Sequence, residues 1–248
     1  MFGTTHILYM LISALISAGI LVFLYIKVKD EGKKTLALRL MALVTVAIHY
    51  SSLWVDFFAT GDLTIESSQL LPIHPCNVCM WLLLAVSYIK NRESRIFKIM
   101  AEFVFWGGLV CGSIGIIINE NFGNNPTLAD FSVLKGMLSH STMVLGCIYV
   151  LVAGMIRIRV KNVISVVAGL LFFTVDGAII NLLYTIFGRG VCNSMYLQEL
   201  PFPEMPWLNT LTMGILGVTL AFVITVIYEQ VALPKDERWY SKLKRRTD

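Results

Sequence analysis

Residues 99–118 read IMAEFVFWGGLVCGSIGIII, a run of 20 residues in which Glu102 is the only charged side chain. A helix of about 20 apolar residues spans the hydrocarbon core of a bilayer, which is about 30 Å thick. The run therefore predicts a membrane-spanning helix. Small residues let membrane helices approach closely, and the run offers such packing positions at Gly107, Gly108, Gly112 and Gly115.

Six further runs share this character, so the chain contains seven predicted spans, at residues 7–26, 36–58, 70–89, 99–118, 133–156, 163–187 and 208–231. Overall, 56% of the residues are hydrophobic and 15% are charged, whereas a soluble domain is about a quarter charged. The connections are short, which predicts helices packed as a bundle. We expect an all-α, polytopic seven-transmembrane-helix bundle that forms a single membrane domain, residues 1–248, including a basic tail at 232–248.

The basic residues mark one side of this bundle. Eighteen of the 20 Lys and Arg residues lie in or beside the first, third and fifth connections or in the tail, and only Lys135 and Arg189 lie on the other side. Lys and Arg accumulate in cytoplasmic loops. We therefore expect the N-terminus outside and the C-terminus in the cytoplasm. Because topology accounts for the net charge of +4, we expect no nucleic-acid partner.

Several polar residues lie inside the predicted spans, where ionisable side chains are functional candidates. At about 1.5 Å per residue, His49 and Asp176 lie roughly 20 Å above the inner face, and Cys76 and His140 roughly 10 Å below the outer face. In a core about 30 Å thick, all four lie at one level, which predicts a polar pocket in the outer part of the membrane. Asp56 follows His49 by seven residues and so shares its helix face; alternatively, the two residues simply hydrogen-bond each other.

For the other acidic residues in the predicted spans, a structural role explains their position as well as a functional one does. Glu102 lies one turn inside the inner face, where it reaches Lys98 four residues earlier. Glu229 lies near the inner interface, where we expect it to be solvated. Asp176 and Asn181 have a structural alternative as well, because polar side chains hydrogen-bond between membrane helices.

The segment Leu71-Pro72-Ile73-His74-Pro75-Cys76-Asn77 opens the third predicted span. Proline lacks an N–H and disturbs a helix, so the segment predicts a broken turn that lines a cavity and exposes Cys76. His140 is the better candidate base, because it lies at matching depth on another helix, whereas His74 is only two residues away. The alternatives are an inert buried thiol and a proline tolerated in the first turn.

Two other functions remain open. Cys76 and Cys79 form a C-x-x-C pair, and with Cys192 as a shuttling partner they would suit a quinone-linked disulfide oxidoreductase. His49, Asp56, His140 and Asp176 would instead suit a path through a non-enzymatic transporter or receptor, although no inverted repeat is evident. The four His residues lie on separate segments, so we expect no metal site, and we expect no cofactor.

The segment 71–77 resembles the L-P-x-H-x-C signature of the bacterial YwaF-like integral membrane proteins. The motif Phe105-Trp106-Gly107-Gly108, the helix centred on His140, and Asn193-Ser194-Met195-Tyr196-Leu197 resemble that family's later motifs in the same order. This family is similar to the eukaryotic transmembrane-protein-164-type acyltransferases, which move a fatty acyl chain from a phospholipid to a lysophospholipid through a cysteine acyl-enzyme.

The resemblance implies that Cys76 is the acylated cysteine, that His140 is its base, that membrane phospholipids are the partners, and that the protein lies in the bacterial cytoplasmic membrane. We expect His49, Asp56, His74 and Asp176 to support the dyad. We expect Asn77 or Asn181 to serve as oxyanion donors, and the loop with Asn193 and Tyr196 to cap the site. If water replaced the lysolipid, the same site would be a lipase.

Overall fold

The computed structural model describes residues 3–60, 71–119, 122, 127–190, 192–200 and 205–241. The regular structure of these residues is helical, without a strand, as the sequence predicted. The α-helices are α1 (Thr4–Lys27), α2 (Glu31–His49), α3 (Ser51–Thr60), α4 (Pro75–Tyr88), α5 (Arg95–Ile117), α6 (Phe131–Val152), α7 (Ile164–Ile186) and α8 (Thr210–Ala232), and short 3-10 turns form at Val160–Asn162, Ser194–Tyr196 and Lys235–Glu237.

Five of the described helices are long and apolar enough to cross a membrane: α1, α5, α6, α7 with its preceding turn, and α8. This supports a multi-pass membrane protein. The helix α2 carries Glu31, Lys33, Lys34 and Arg39 in its first half, and α4 has only 14 residues, about 21 Å. Seven spans and the orientation of the termini therefore stay predictions.

The second predicted span, residues 36–58, is not one continuous helix. It breaks at Tyr50, which ends α2 with φ −87° and ψ 3°. Ser51 Oγ donates a 2.6 Å hydrogen bond to the Ile48 carbonyl, and such local bonds compete with the helical pattern. The premise that one continuous helix carries His49 and Asp56 is therefore wrong, and whether they share a face stays a prediction. The side chain of Asp56 lies outside the described residues.

The third predicted span also starts later than expected. Its described helix α4 begins at Pro75, and His74 before it is extended, with φ −103° and ψ 150°. A residue that precedes proline is driven out of the helical region, and proline itself suits the first helical position. The proline therefore sets the start of α4 rather than breaking a turn inside a helix.

A glycine face joins α5 to α6 at the centre of the bundle. A Cβ placed on Gly108 would lie 2.2 Å from Cys147 Sγ, one on Gly112 would lie 2.6 Å from Val144, and one on Gly115 would lie 2.3 Å from the His140 ring. These separations are far below van der Waals contact, so the two helices pack as they do only because these positions lack side chains. The packing role predicted for these glycines is confirmed.

Glu102 on α5 is not paired with Lys98, as the sequence had suggested. Lys98 instead contacts Glu93 at 2.7 Å. The Glu102 carboxylate accepts hydrogen bonds from Asn162 Nδ2 and from Ser165 Oγ at 2.8 Å. It therefore ties α5 to the start of α7.

Glu229 on α8 is buried, with 2% of its surface exposed, rather than solvated. One carboxylate oxygen accepts from the Val160 N–H at 2.9 Å, and the other accepts from the Trp239 N–H at 2.8 Å. A carboxylate can lie inside the protein when hydrogen bonds replace its water. Glu229 thereby ties the end of α8 to the turn before α7.

Candidate functional site

A small cavity lies where α2, α4 and α6 meet. Its lining combines polar and apolar side chains from these three helices: Thr45, His49, Cys76, Asn77, Met80, Ser139, His140 and Met143. Four of the residues singled out in the sequence, namely His49, Cys76, Asn77 and His140, are thus brought together from three separate segments.

Cys76 is held at the N-terminal end of α4, one residue after Pro75. Its thiol is half-buried and donates to Asn77 Oδ1 at 3.4 Å, and the Asn77 N–H donates to the His74 carbonyl at 2.9 Å. The N-terminus of a helix carries N–H groups without helical partners and a partial positive charge. This partial positive charge favours negative charge on the sulfur, or on an oxygen bound beside it, whereas burial of the thiol opposes it.

His140 is oriented by the backbone. Its Nδ1 lies 2.7 Å from the Gly136 carbonyl, which only accepts, so Nδ1 carries the proton and Nε2 is the basic nitrogen of the neutral ring. Gly115 of α5 packs against the ring and fixes its plane. The sequence had named His49 or Asp176 as the orienting group, whereas a carbonyl one helical turn away takes this role.

His49, His74 and His140 lie within electrostatic reach of one another, and Lys135 lies near His49. Lys135 itself donates to Ser52 Oγ at 3.3 Å. Among the described residues, no three His, Cys, Asp or Glu side chains converge as a metal site.

The loop 192–200 is fastened beside the candidate nucleophile. The Asn181 amide of α7 accepts from the Ser194 N–H at 2.9 Å and donates to the Ser194 carbonyl at 3.3 Å. Ser194 Oγ and the Met195 N–H both donate to the carbonyl of Ile73, at 3.1 and 3.0 Å. Asn181 therefore holds the loop instead of pointing at the cavity as an oxyanion donor.

Two residues of this loop adopt a left-handed backbone, Met195 and Tyr196, each with φ 55°. This conformation costs a non-glycine residue about 1–2 kcal/mol. Thr210 Oγ1 stabilises it by donating to the Tyr196 carbonyl at 2.6 Å. The result is that the Tyr196 ring lies 5.8 Å from the His74 ring, centroid to centroid. Nothing in the sequence signalled this turn, because it contains neither glycine nor asparagine at the two positions.

Asn193 and Asp176 do not line the cavity among the described contacts. Asn193 folds its own loop, since its side chain accepts from the N–H groups of Gln198 and Glu199 and donates to the Glu199 carbonyl. Asp176 Oδ2 is buried and has no hydrogen-bond partner in the part of the chain that the structure describes. The sequence prediction that Asp176 belongs to the same pocket is therefore not supported.

All five cysteines have free thiols. Cys79 is fully buried and its thiol neighbours that of Cys111 on α5, a partner that the C-x-x-C spacing did not suggest. Cys192 is buried beside Ile73 and Ile180. Of the five cysteines, Cys76 is the one that lines the cavity.

Comparison with known proteins gives one finding. No curated protein and no solved structure matches the chain. A family model, that of the TMEM164 family, matches residues 1–228. This match covers the helices described above except the last four residues of α8 and the short turn that follows it. On this evidence, the chain belongs to the TMEM164 family.

Proposed function

We propose that this protein transfers a fatty acyl chain between a phospholipid and a lysophospholipid through a thioester on Cys76. The observation that carries the proposal is that Cys76, at the N-terminus of α4, shares one cavity with His140, whose Nδ1 is held by a carbonyl and whose Nε2 is the basic nitrogen. Membership of the TMEM164 family supports it, as does the resemblance to acyltransferases. We place the chain in the YwaF-like bacterial branch and in the bacterial cytoplasmic membrane.

The first half-reaction forms the thioester. His140 Nε2 takes the proton of the Cys76 thiol, and the sulfur attacks the carbonyl carbon of a phospholipid ester. We propose that the tetrahedral oxyanion lies at the positive end of α4, beside the Cys76 N–H. The carbon–oxygen bond then breaks, and the departing lysolipid oxygen takes the proton from His140.

The second half-reaction regenerates the enzyme. His140 Nε2 takes the proton of a lysolipid hydroxyl, and that oxygen attacks the thioester carbonyl. The carbon–sulfur bond breaks, and the Cys76 sulfur recovers the proton. Splitting one acyl transfer into two steps through an activated nucleophile lowers each barrier. We also propose that His74, just before α4, and Tyr196 contact the headgroup; the two rings lie 5.8 Å apart, centroid to centroid.

Transfer of a labelled acyl chain to lysolipid tests the proposal. Purified protein in lipid nanodiscs should acylate an added lysophospholipid, and Cys76→Ser should abolish the activity, because a hydroxyl is a far weaker nucleophile at neutral pH. Cys79→Ala is the matched control, since this thiol lies on the same helix but outside the cavity, and it should retain transfer. Transfer that survives Cys76→Ser would refute the nucleophile assignment. If both variants lose transfer activity and the wild type contains a Cys76–Cys79 disulfide, the disulfide oxidoreductase alternative is favoured.

A further inference from the structure

A second and much larger cavity, of about 1130 Å³, opens at the opposite end of the bundle. Three parts of the chain form its wall: the start of α5, the connection at residues 154–165, and the end of α8 together with the segment that follows α8. Along α5, Glu102 in this cavity and Gly115 beside His140 are about 20 Å apart at 1.5 Å per residue. The cavity is therefore separate from the site around Cys76, and its volume is that of a pocket for a small organic ligand.

The acidic side chains of this cavity are already occupied. Four carboxylates line it, and each has a hydrogen-bond or ion-pair partner within the protein: Glu93 with Lys98, Glu102 with Ser165, Glu229 with the Trp239 N–H, and Glu237 with Arg159. Because these carboxylates are already paired, they are poor acceptors for a cationic ligand.

Several hydrogen-bond donors of the residues that line the cavity have no acceptor within the described protein. The side chains of Arg95, Arg157 and Lys161 are exposed and form no hydrogen bond or ion pair with the described residues, although Arg157 lies near Glu93 and Lys161 near Glu102. Arg159 Nη1 and Trp239 Nε1 are buried and lack an acceptor there. Buried donors are nearly always paired in proteins, so two unpaired donors in one cavity point to an acceptor that comes from a ligand.

The remaining wall of the cavity is apolar. It is formed by Ile99, Met155, Ile156, Val160 and Ile164, and the Ile164 side chain is 66% exposed. A ligand that fits both parts carries a compact anion on an apolar chain. Because phosphate oxygens match arginine in paired, charge-assisted hydrogen bonds, phosphate suits the cationic part best.

We propose that this cavity is a binding site for the phosphate group of an anionic amphiphile, with the phosphate between Arg157, Arg159, Lys161 and Trp239 and the apolar chain along the isoleucine wall. The site does not depend on the acyl-transfer reaction. Its position among the basic connections is the position at which anionic lipid headgroups meet membrane proteins.

Native mass spectrometry of the purified full-length chain in detergent, titrated with phosphatidic acid or phosphatidylcholine, tests this proposal. We expect one phosphatidic acid per chain, bound at least about tenfold more tightly than phosphatidylcholine, in line with charge-assisted hydrogen bonds to the phosphate. Equal binding of the two lipids would overturn the proposal.

Variants locate the site. The double variant Arg157→Gln/Lys161→Gln should weaken phosphatidic acid binding by about tenfold, and Trp239→Phe, which removes the indole N–H and keeps an aromatic ring, by about threefold. Lys33→Gln, a loss of charge on α2 away from the cavity, should bind as the wild type does. If the double variant fails to fold, Trp239→Phe decides alone. Unchanged affinity in the folded variants would contradict the assignment.

Competition distinguishes a lipid site from a site for free phosphate. Inorganic phosphate and glycerol 3-phosphate have the anion without the apolar chain. We expect millimolar concentrations of either to leave phosphatidic acid bound. Displacement of the lipid by inorganic phosphate at equal concentration would show that the apolar wall contributes nothing, and would overturn the amphiphile part of the proposal.

Discussion

The position of one proton on His140 decides what its ring can do. The Gly136 carbonyl accepts from Nδ1–H at 2.7 Å, which leaves Nε2 as the base, and the ring packs against Gly115. Backbone atoms thus hold the ring before any substrate arrives. Such preorganisation is what a general base needs, since misplacement by about 1 Å is costly to the rate.

We predict that His140→Gln lowers the rate of acyl transfer by about 10²- to 10⁴-fold, the usual contribution of a general base. Glutamine fills similar space and keeps a donor for the Gly136 carbonyl, so the fold should persist. The measurement is transfer to labelled lysolipid, with the thermal unfolding midpoint recorded as a control for folding. A folded variant that keeps wild-type activity would remove His140 from the mechanism.

The positions of some of these residues in the fold were predictable from the sequence, and those of others were not. Cys76 and His140 could be paired because helix geometry and bilayer thickness together fix depth. Glu229 could not be predicted as buried, because its partners are backbone N–H groups of Val160 and Trp239, which no sequence pattern reveals. The left-handed turn at Tyr196 was equally hidden, since its stabilisation comes from Thr210.

Among the elements, α5 is the one on which the others are assembled. It packs against α4, α6 and α7, and its glycines bring α6 close enough for His140 to rest on Gly115. Close approach of backbones through small residues is a main source of association between membrane helices. The same packing therefore stabilises the bundle and shapes the site.

Gly108→Ala should destabilise the protein by about 1–3 kcal/mol, the usual cost of overpacking, because the new methyl would lie 2.2 Å from the buried Cys147 sulfur. Gly217→Ala on α8 is the matched control, since nothing lies within 4 Å of its added methyl. Alanine is favoured over glycine in helices by about 1 kcal/mol, so the control should unfold at the same temperature or higher. Thermal unfolding in detergent measures both, and equal stability of the two variants would contradict the glycine-face packing.

The ends of elements were harder to predict than their existence. The apolar run through residues 36–58 gives no sign of the break at Tyr50, because hydropathy does not change there. The break comes from local hydrogen bonding by Ser51 and from packing of Tyr50 on Trp81, whose Nε1 donates to the Tyr50 hydroxyl at 3.2 Å. By contrast, the start of α4 follows directly from the chemistry of Pro75.

The whole molecule has a cavity at each end of its helical bundle. The one around Cys76 is small and lined by thiol, imidazole and amide groups, and the one around Arg159 is large and cationic. An all-helical membrane protein was predictable from apolar run lengths alone. The larger cavity was not, because its residues come from three distant parts of the chain and the basic ones among them indicated only topology.

The central claim, a fatty acyl thioester on Cys76, is tested most directly by intact-protein mass spectrometry after mild purification from native membrane. We predict a fraction of the wild type that carries a fatty-acyl mass adduct, that hydroxylamine removes it, and that Cys76→Ala lacks it while Cys79→Ala retains it. An adduct that persists in Cys76→Ala, or a wild type that stays unmodified when incubated with phospholipid under conditions of active transfer, would contradict the account.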